Sequence, residues 1–337
     1  MVTIFPKNMA QTGARPFDPY RDLKPVTDLI AVAFRDRLGP DGHVALAEMR
    51  RVARWGPLLW WLYWPGQGRP GISAGFVWVE GGRVVGNVSV RRASRGGFFV
   101  GNVAVHPDWQ RRGIATVLMK TALEAISARG GSWVGLEVQA GNRVARHLYD
   151  SLGFREVGRT LHMLRSAGLP WGVDPLPLPS LRRGRRDDTP ALIELVRSVV
   201  PQPQRPLLEL RREDYSLNWE RTLGNWLRRR REVWWVVEEG DVVCGAVRAL
   251  HERRRRPDKL EVWVTPERGG RLETILVQQG LVSLRSGSKK MIEAVLPECT
   301  GSLASAFEAA GFQTLRVLVQ MRLDLARRVF VRNGRST

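Results

Sequence analysis

The sequence repeats itself once, and this repetition limits the folds that the chain can adopt. The spacing between matching positions runs from 158 residues (Gly153 to Gly311) to 165 residues (Pro25 to Pro190). Repetition at nearly constant spacing indicates two copies of one fold rather than one large domain, and 337 residues are enough for two cores. Four segments recur in the same order: 22–26 at 187–191, 82–86 at 240–245, 103–107 at 262–266, and 149–154 at 307–312.

Apolar periodicity predicts the elements of the first copy. In chain order we expect a short edge strand at 14–17, a helix at 23–38 capped by Asp22, a helix at 44–54, a hairpin of strands 76–79 and 84–90, a strand at 98–105, a helix at 114–128 with Val117, Leu118, Ala122, Ala125 and Ile126 facing inward, a strand at 133–138, a helix at 143–151 and a closing strand at 155–164. This order predicts an α/β fold with a mixed sheet (α+β) in each copy.

One stretch has the composition of a phosphate-binding turn. The apolar strand ends at Pro107, a basic turn at 110–113 ends in Gly113, and an amphipathic helix begins at Ile114. Glycine lets the backbone approach a ligand closely. The first N–H groups of the helix have no partner within it, so they can bind an anion.

The same stretch resembles the GNAT superfamily of N-acetyltransferases. The pattern Gln110-x-x-Gly113-x-Ala115 resembles the pyrophosphate loop of that family. Asn142, Tyr149 and then Gly153-Phe154 resemble its second signature, in the right order and at the right separation. The resemblance implies two tandem acyl-CoA N-acyltransferase (GNAT-like) domains.

The resemblance also implies the site residues and a co-substrate, acetyl-CoA. We expect the backbone of 103–105 to pair with the pantetheine arm, the N–H of Val105 to bind the developing oxyanion, and Tyr149 to act as the general acid. A phenol of pKa ~10 stays protonated at neutral pH and can protonate a leaving thiolate. The residues expected at the cofactor are Val103, Ala104, Val105, Gln110, Arg111, Arg112, Gly113, Ile114, Ala115, Thr116, Asn142 and Tyr149.

A general base is harder to assign. No Asp or Glu lies between Gly81 and Pro107, where relatives often place a carboxylate. Candidates are Glu137, Glu80, His106 or a group of the second copy, and an acceptor amine of low pKa needs no base. Glu137 stands mid-strand, so its carboxylate either faces the cleft or is solvated. His106 is expected to cap the end of the strand.

The second copy lacks the chemistry of the first. Alignment of the two copies replaces Tyr149 by Phe307, Asn142 by Thr300, Gly113 by Leu272 and Ala115 by Thr274. We therefore expect a catalytic first domain and a degenerate second domain. The expected boundaries are a disordered lead-in at 1–13, the catalytic domain at 14–165, a proline-rich linker at 166–180, the degenerate domain at 181–325 and a basic tail at 326–337.

The formal net charge of +20 is typical of proteins that bind nucleic acid. Only six of the 53 basic residues are lysines and the arginines are spread along the chain, which favours compositional drift plus a polyanionic cofactor. The arginine-rich runs 182–186, 228–231 and 253–256 leave an RNA-associated protein, or one that binds acyl-CoA without turnover, as the alternative. A nucleic-acid partner is the less favoured prediction.

Cysteine content and apolar runs indicate where in the cell the protein is expected. Two distant cysteines indicate neither a disulfide framework nor a metal site. No apolar run approaches the ~20 residues of a membrane span, and residues 1–6 do not resemble a signal peptide. We therefore expect a cytoplasmic protein without a membrane partner that acts on an amine-bearing small molecule or peptide. The aromatic segment 55–65 is either core packing or an apolar wall for that acceptor.

Overall fold

The computed structural model divides the chain into two compact units. Unit 1 comprises 1–137, 144–155 and 321–337, and unit 2 comprises 138–143 and 156–320. The structure describes residues 12–35, 46–47, 49–50, 74–170, 178, 180–208, 212–217, 225, 230–240, 242–252, 256–270, 272–285, 290–298 and 300–325. Most of the expected helix at 44–54, the aromatic segment 55–65, most of the linker and the tail 326–337 lie outside these residues, as does the lead-in up to residue 11.

Among the described residues, the two halves of the chain contain the same order of elements except for one additional short helix, α5, in the second half. The first half contains β1 (Gly13–Pro16), α1 (Pro19–Ala33), β2 (Ala74–Glu80), β3 (Arg83–Arg92), β4 (Gly97–Val105), α2 (Ile114–Ala128), β5 (Trp133–Gln139), α3 (Arg143–Ser151) and β6 (Arg155–Arg165). The second contains β7 (Leu181–Arg183), α4 (Thr189–Val199), α5 (Arg212–Tyr215), β8 (Arg231–Glu239), β9 (Val242–His251), β10 (Asp258–Val264), α6 (Glu273–Arg285), β11 (Ile292–Pro297), α7 (Gly301–Ala309) and β12 (Phe312–Asp324). The mixed α/β fold in tandem is confirmed.

Each unit is built on a mixed sheet. In unit 1 the strands β1 to β4 pair antiparallel in chain order, and β4 pairs parallel with β5. In unit 2 the strands β7 to β10 pair antiparallel, and β10 pairs parallel with β11. Apolar side chains of helix α1 pack on β2 in unit 1, and those of α6 pack on β9 and β10 in unit 2.

The strand expected to close the first domain belongs to unit 2. Residues 160–165 of β6 pair antiparallel with β11, from Thr160 opposite Pro297 to Arg165 opposite Ile292. Unit 1 instead receives the end of β12, because the N–H of Leu325 donates to the carbonyl of Ser132 at 2.9 Å. β6 and β12 are equivalent strands of the two copies, so the sequence pattern cannot tell which one joins which sheet. The contact-defined units therefore cross the sequence-based domain boundaries.

A bidentate ion pair recurs at the start of both copies. Arg15 binds both carboxylate oxygens of Asp22 at 2.6 and 2.7 Å, and Arg182 binds both oxygens of Asp188 at 2.8 Å. Burial alone would raise the pKa of Asp188, but hydrogen bonds from Arg182 and a backbone N–H outweigh it and lower that pKa. The pair fastens the edge strand of each copy to its first helix.

The start of helix α1 corrects one prediction. Asp22 is not the N-cap residue, because it lies within the first turn, where its carboxylate binds Arg15 and also accepts a hydrogen bond from the N–H of Asp18 at 2.8 Å. The cap is Asp18, which accepts a hydrogen bond from the N–H of Tyr20 at 2.9 Å. The helix consequently begins four residues earlier than expected and ends at Ala33. In helix α2, Val117 is exposed rather than inward, and Met119 is buried in its place.

Candidate functional site

A bulge near the end of β4 opens the sheet of unit 1. Asn102 has a φ of +50°, and the pairing of β3 with β4 slips between Asn87 and Ser89. The buried amide of Asn87 donates to the carbonyl of Asn102 at 2.9 Å and holds the bulge. β4 pairs with β5 only from Gly97 to Phe99. The two parallel strands therefore separate over the second half of β4.

The backbone of Val105 faces this opening. The N–H of His106 donates to the carbonyl of Val85 at 2.8 Å. Facing residues on antiparallel strands alternate between exchanging hydrogen bonds and not exchanging them, so the N–H and C=O of Val105 point away from β3. The side chain of Gln110 donates to the carbonyl of Val105 at 3.1 Å. The N–H of Val105 thus lies on the side of the opening.

The basic turn after β4 has the backbone of an anion site. Arg111 and Gly113 have φ values of +61° and +75°, and Gly113 is the N-cap residue of α2. The first N–H groups of this helix, at Ile114, Ala115 and Thr116, have no partner within the helix. A Cβ at Gly113 would meet nothing within 4 Å, so the space above the turn is open. An anion such as a pyrophosphate fits here, on the positive end of the helix dipole.

Side chains around the turn hold it in place. His106 accepts a hydrogen bond from the N–H of Asp108 at 3.4 Å, so it caps the start of the short 3₁₀ turn Pro107–Trp109 rather than only the end of the strand. Arg112 donates to the carbonyl of Asp108 at 3.0 Å, and Arg83 lies 5.6 Å from the ring of Trp109. These contacts fix the backbone of the turn between β4 and α2.

Tyr149 lies on α3 and is 6% exposed. Burial raises the pKa of its phenol from 10 to about 12, because the charged phenolate is disfavoured away from water. Its ring packs against Phe154 at 6.0 Å, and Gly153, with φ +88°, lets the chain turn between them. Tyr149 is therefore protonated at neutral pH.

The other expected site residues differ in how deeply they are buried. Asn142 belongs to unit 2, is half-buried and donates its N–H to the carbonyl of Gln139 at 2.9 Å. Ala104, opposite Asn87, is buried, and Val103 is half-buried. Glu137 is exposed between two buried neighbours.

Of the other candidate bases, Glu80 accepts a hydrogen bond from the indole of Trp78 at 3.1 Å. His106 is held as a cap by the turn that follows it. Neither geometry singles out a general base, so Glu137 stays a prediction.

In unit 2 the corresponding turn is filled by its own side chain. Glu273, the first residue of α6, is 4% exposed and accepts hydrogen bonds from the N–H of Gly270 at 2.8 Å and from Ser302 at 2.7 Å. Gly270 has a φ of +84° and stands where Arg111 stands in unit 1. A carboxylate of the chain thus already accepts a backbone N–H of the equivalent turn in unit 2.

The arginine-rich runs are partly engaged within the fold. Arg182 binds Asp188, Arg183 lies 4.3 Å from the ring of Trp235, and Arg230 binds the buried Glu252 at 2.9 Å. Residues 228–229 and 253–255 lie outside the described part of the chain.

Within the described residues, no helix has the length and apolarity needed to span a membrane. The same residues contain no group of three or more His, Cys, Asp or Glu side chains that could hold a metal ion.

Two features of the site were missed from the sequence. The pair of Asn87 and Asn102 sets the bulge, and Asn is one of the few residues that tolerates a positive φ, so the Gly101-Asn102 dipeptide was the available signal. Glu273 stands where unit 1 has Ile114, and this exchange of an apolar residue for a carboxylate at the start of a helix was the available signal.

Comparison with known proteins agrees with this geometry. Residues 44–154 match the model of the Acetyltransferase (GNAT) family. The chain is 46% identical over 55 residues to the [ribosomal protein bS18]-alanine N-acetyltransferase of Salmonella typhimurium, covering 16% of this chain and 37% of that protein. It is 38% identical over 92 residues to the N-alpha-acetyltransferase RimI of Mycobacterium tuberculosis, covering 26% of this chain and 56% of that one.

A solved structure resembles nearly the whole chain. A tandem GNAT protein from the clavulanic acid biosynthesis pathway superposes with a TM-score of 0.60 at 17% identity, covering 93% of this chain and 98% of that one. This likeness supports the two-copy fold. By contrast, the chain spans just over a third of the length of the bS18-alanine N-acetyltransferase that it matches.

Proposed function

Because this chain contains a GNAT acetyltransferase domain and a second copy of the same fold, we propose that it is an N-acetyltransferase. It transfers an acetyl group from acetyl-CoA to a primary amine of a small molecule or peptide by direct attack in a ternary complex. The observation that supports this most strongly is the combination of an opened β4 edge with an open anion turn directly after it. Two relatives named as acetylating protein or alpha amino groups support an amine acceptor.

The proposed cofactor-binding residues would bind different parts of acetyl-CoA. Bound acetyl-CoA supplies the activated acetyl group as a thioester. The N–H groups at Gly113, Ile114 and Ala115 would bind the pyrophosphate, and Arg111 and Arg112, both exposed, would add attraction for the phosphates. The outward-facing edge at 103–105 would pair with the pantetheine arm, and the amide of Asn142 would bind the same arm. Gln110 fixes the end of that edge through the carbonyl of Val105.

Two groups would act on the reacting atoms. The N–H of Val105 would stabilise the negative charge that develops on the thioester oxygen, because it is fixed in the sheet and needs no reorientation. Tyr149 would donate its proton to the departing thiolate, since its raised pKa keeps it protonated. Glu137 is the proposed base, although an acceptor amine that is already neutral would make a base unnecessary.

The proposed activity is tested by incubating the full chain with acetyl-CoA and a panel of amines. The panel should include peptides with an N-terminal alanine, amino sugars and polyamines. We expect thiol release with at least one amine and a product heavier by one acetyl group in the mass spectrum. Saturable acetyl-CoA binding without acetylated product from any amine would favour the non-catalytic alternative. Salt-sensitive RNA binding in place of cofactor binding would favour the nucleic-acid alternative.

We expect one acetyl-CoA to bind per chain. In unit 2 the carboxylate of Glu273 already uses the N–H of Gly270 and would repel a pyrophosphate. Isothermal titration calorimetry should give a stoichiometry of one, and a Glu273→Gln variant should leave it at one because Phe307 and Leu272 still replace the phenol and the glycine. Two equivalent sites would contradict the division of roles between the copies.

A further inference from the structure

Unit 2 offers an internal comparison for the bulge in β4. Its strands β9 and β10 pair without a slip, from Lys259 opposite Leu250 to Val264 opposite Gly245. In unit 1, three steps along β3, from Gly86 to Ser89, are matched by four steps along β4. The extra residue in β4 is Asn102, which has a positive φ. The first copy thus contains one strand residue that the second copy lacks.

The fold does not require this extra residue, because unit 2 forms the same antiparallel pair without it. The residue is also conformationally unfavourable. Asn102 has a φ of +50°, in the left-handed region that residues other than glycine seldom adopt. Strained residues of this kind persist where the surrounding structure holds them, and they are concentrated at functional sites. A strained residue in one copy and not in the other therefore indicates a role in function.

Asn87 holds the bulge and is specific to unit 1. A bulged residue is left out of the ladder, so its buried polar groups need other partners. The side chain of Asn87 is 1% exposed, and its amide donates to the carbonyl of Asn102 at 2.9 Å and to the hydroxyl of Ser89 at 3.3 Å. Ala246 takes the place of Asn87 in unit 2, opposite Trp263. The amide is therefore present in the copy with the bulge and missing from the copy without it.

The bulge lies directly before the strand edge at 103–105. The parallel strands part in both copies, since β10 pairs with β11 only at Asp258 and Lys259. In unit 1 the bulge also lengthens the free edge by one residue, or about 3.3 Å. A bulge bends its strand and increases the local twist. The direction in which the edge at 103–105 meets the basic turn at 110–113 consequently depends on the bulge.

We propose that Asn87 is a positioning residue for acetyl-CoA. Its amide keeps the bulge at Asn102 in place and so sets the direction of the edge at 103–105 relative to the basic turn. This role rests on the proposed function, because it requires that edge to bind the pantetheine arm. Asn87 is buried and would itself contact neither the cofactor nor the acceptor amine.

The first test is Asn87→Ala, which gives unit 1 the residue of unit 2. We expect acetyl-CoA to bind about tenfold more weakly in calorimetric titration, because the carbonyl of Asn102 loses its donor and the bulge is released. The melting temperature should also fall. Ser89→Ala is the matched control. It removes the 3.3 Å contact of the Asn87 amide but keeps the bond to Asn102, so the affinity should stay within about twofold of wild type.

Deletion of Asn102 in the Asn87→Ala variant separates positioning from stability. This chain can form the unbroken ladder of unit 2, so its melting temperature should recover towards that of wild type. Its affinity for acetyl-CoA should stay at least about tenfold weaker than that of wild type, because the edge has lost its extra residue and its twist. The deletion variant also replaces Asn87→Ala if the single variant does not fold.

The outcomes distinguish this proposal from the proposed function. Recovery of the affinity together with the melting temperature would mean that Asn87 only stabilises the fold. Unchanged affinity in a folded Asn87→Ala variant would likewise overturn its positioning role and leave the proposed function standing. A wild-type chain that does not bind acetyl-CoA would instead contradict the proposed function itself.

Discussion

Replacing Tyr149 by phenylalanine should reduce kcat about a hundredfold to a thousandfold. The variant removes only the proton that we propose is donated to the leaving thiolate. The fold should tolerate it, because Phe307 stands at the equivalent position on α7 and is 1% exposed. Steady-state thiol release at saturating acetyl-CoA measures the effect. The KM for acetyl-CoA should stay within about twofold of wild type, because the basic turn at 110–113 and the edge at 103–105 are unchanged.

The pH dependence gives an independent check of Tyr149. Burial raises its pKa from 10 to about 12 by disfavouring the phenolate. The protonated phenol of Tyr149 therefore predominates at every pH below that pKa. We expect no decline in kcat assignable to Tyr149 up to about pH 10. Unchanged turnover in Tyr149→Phe, with circular dichroism confirming a native fold, would remove Tyr149 from the mechanism.

Replacing Gly113 by alanine should weaken acetyl-CoA binding about thirtyfold, or about 2 kcal/mol. An alanine at φ +75° is strained, so the turn should relax and its N–H groups should leave the directions needed to bind a pyrophosphate. The new Cβ would also enter the open space above the turn. The dissociation constant, measured by calorimetry, should rise while kcat at saturation changes little.

Gly130→Ala is the matched control for Gly113→Ala. Gly130 follows the other end of the same helix, has a φ of +74°, and a Cβ there also meets nothing within 4 Å. Both variants should therefore lose a similar free energy of unfolding, about 1 kcal/mol. Only the variant at Gly113 should bind acetyl-CoA more weakly. Equal loss of affinity in both would mean that the effect is general destabilisation and that the pyrophosphate is bound elsewhere.

Strong local patterns made much of the fold predictable. Helices α2 and α3 begin and end at the residues that apolar periodicity and the Gly130-Gly131 pair indicate. The basic turn before α2 was also predictable, because a glycine before a helix and its basic neighbours are features of adjacent residues. The exposure of Val117 was not predictable from apolar character alone, because the apolar residues 117, 118 and 119 are consecutive and only Leu118 and Met119 are buried.

Features that depend on distant residues were not predictable. Aspartate is a residue type that often caps helices. Only the position of Arg15 shows that the carboxylate of Asp22 forms an ion pair. The slip of β4 at Asn102 depends on the amide of Asn87 on the neighbouring strand. The pairing of β6 with β11 joins residues more than a hundred positions apart. In each case a second partner determines the outcome, and no local pattern identifies that partner.

The placement of the closing strands has a consequence for biosynthesis. The sheet of unit 1 receives its last hydrogen-bonded segment from residues 321–325, near the other end of the chain. A ribosome makes residues at the start of a chain first, and domains usually fold as they emerge. Here the first half of the chain cannot complete its sheet until more than 150 later residues have been translated. The second copy, although it lacks the phenol and the glycine, is therefore made before the first can finish folding.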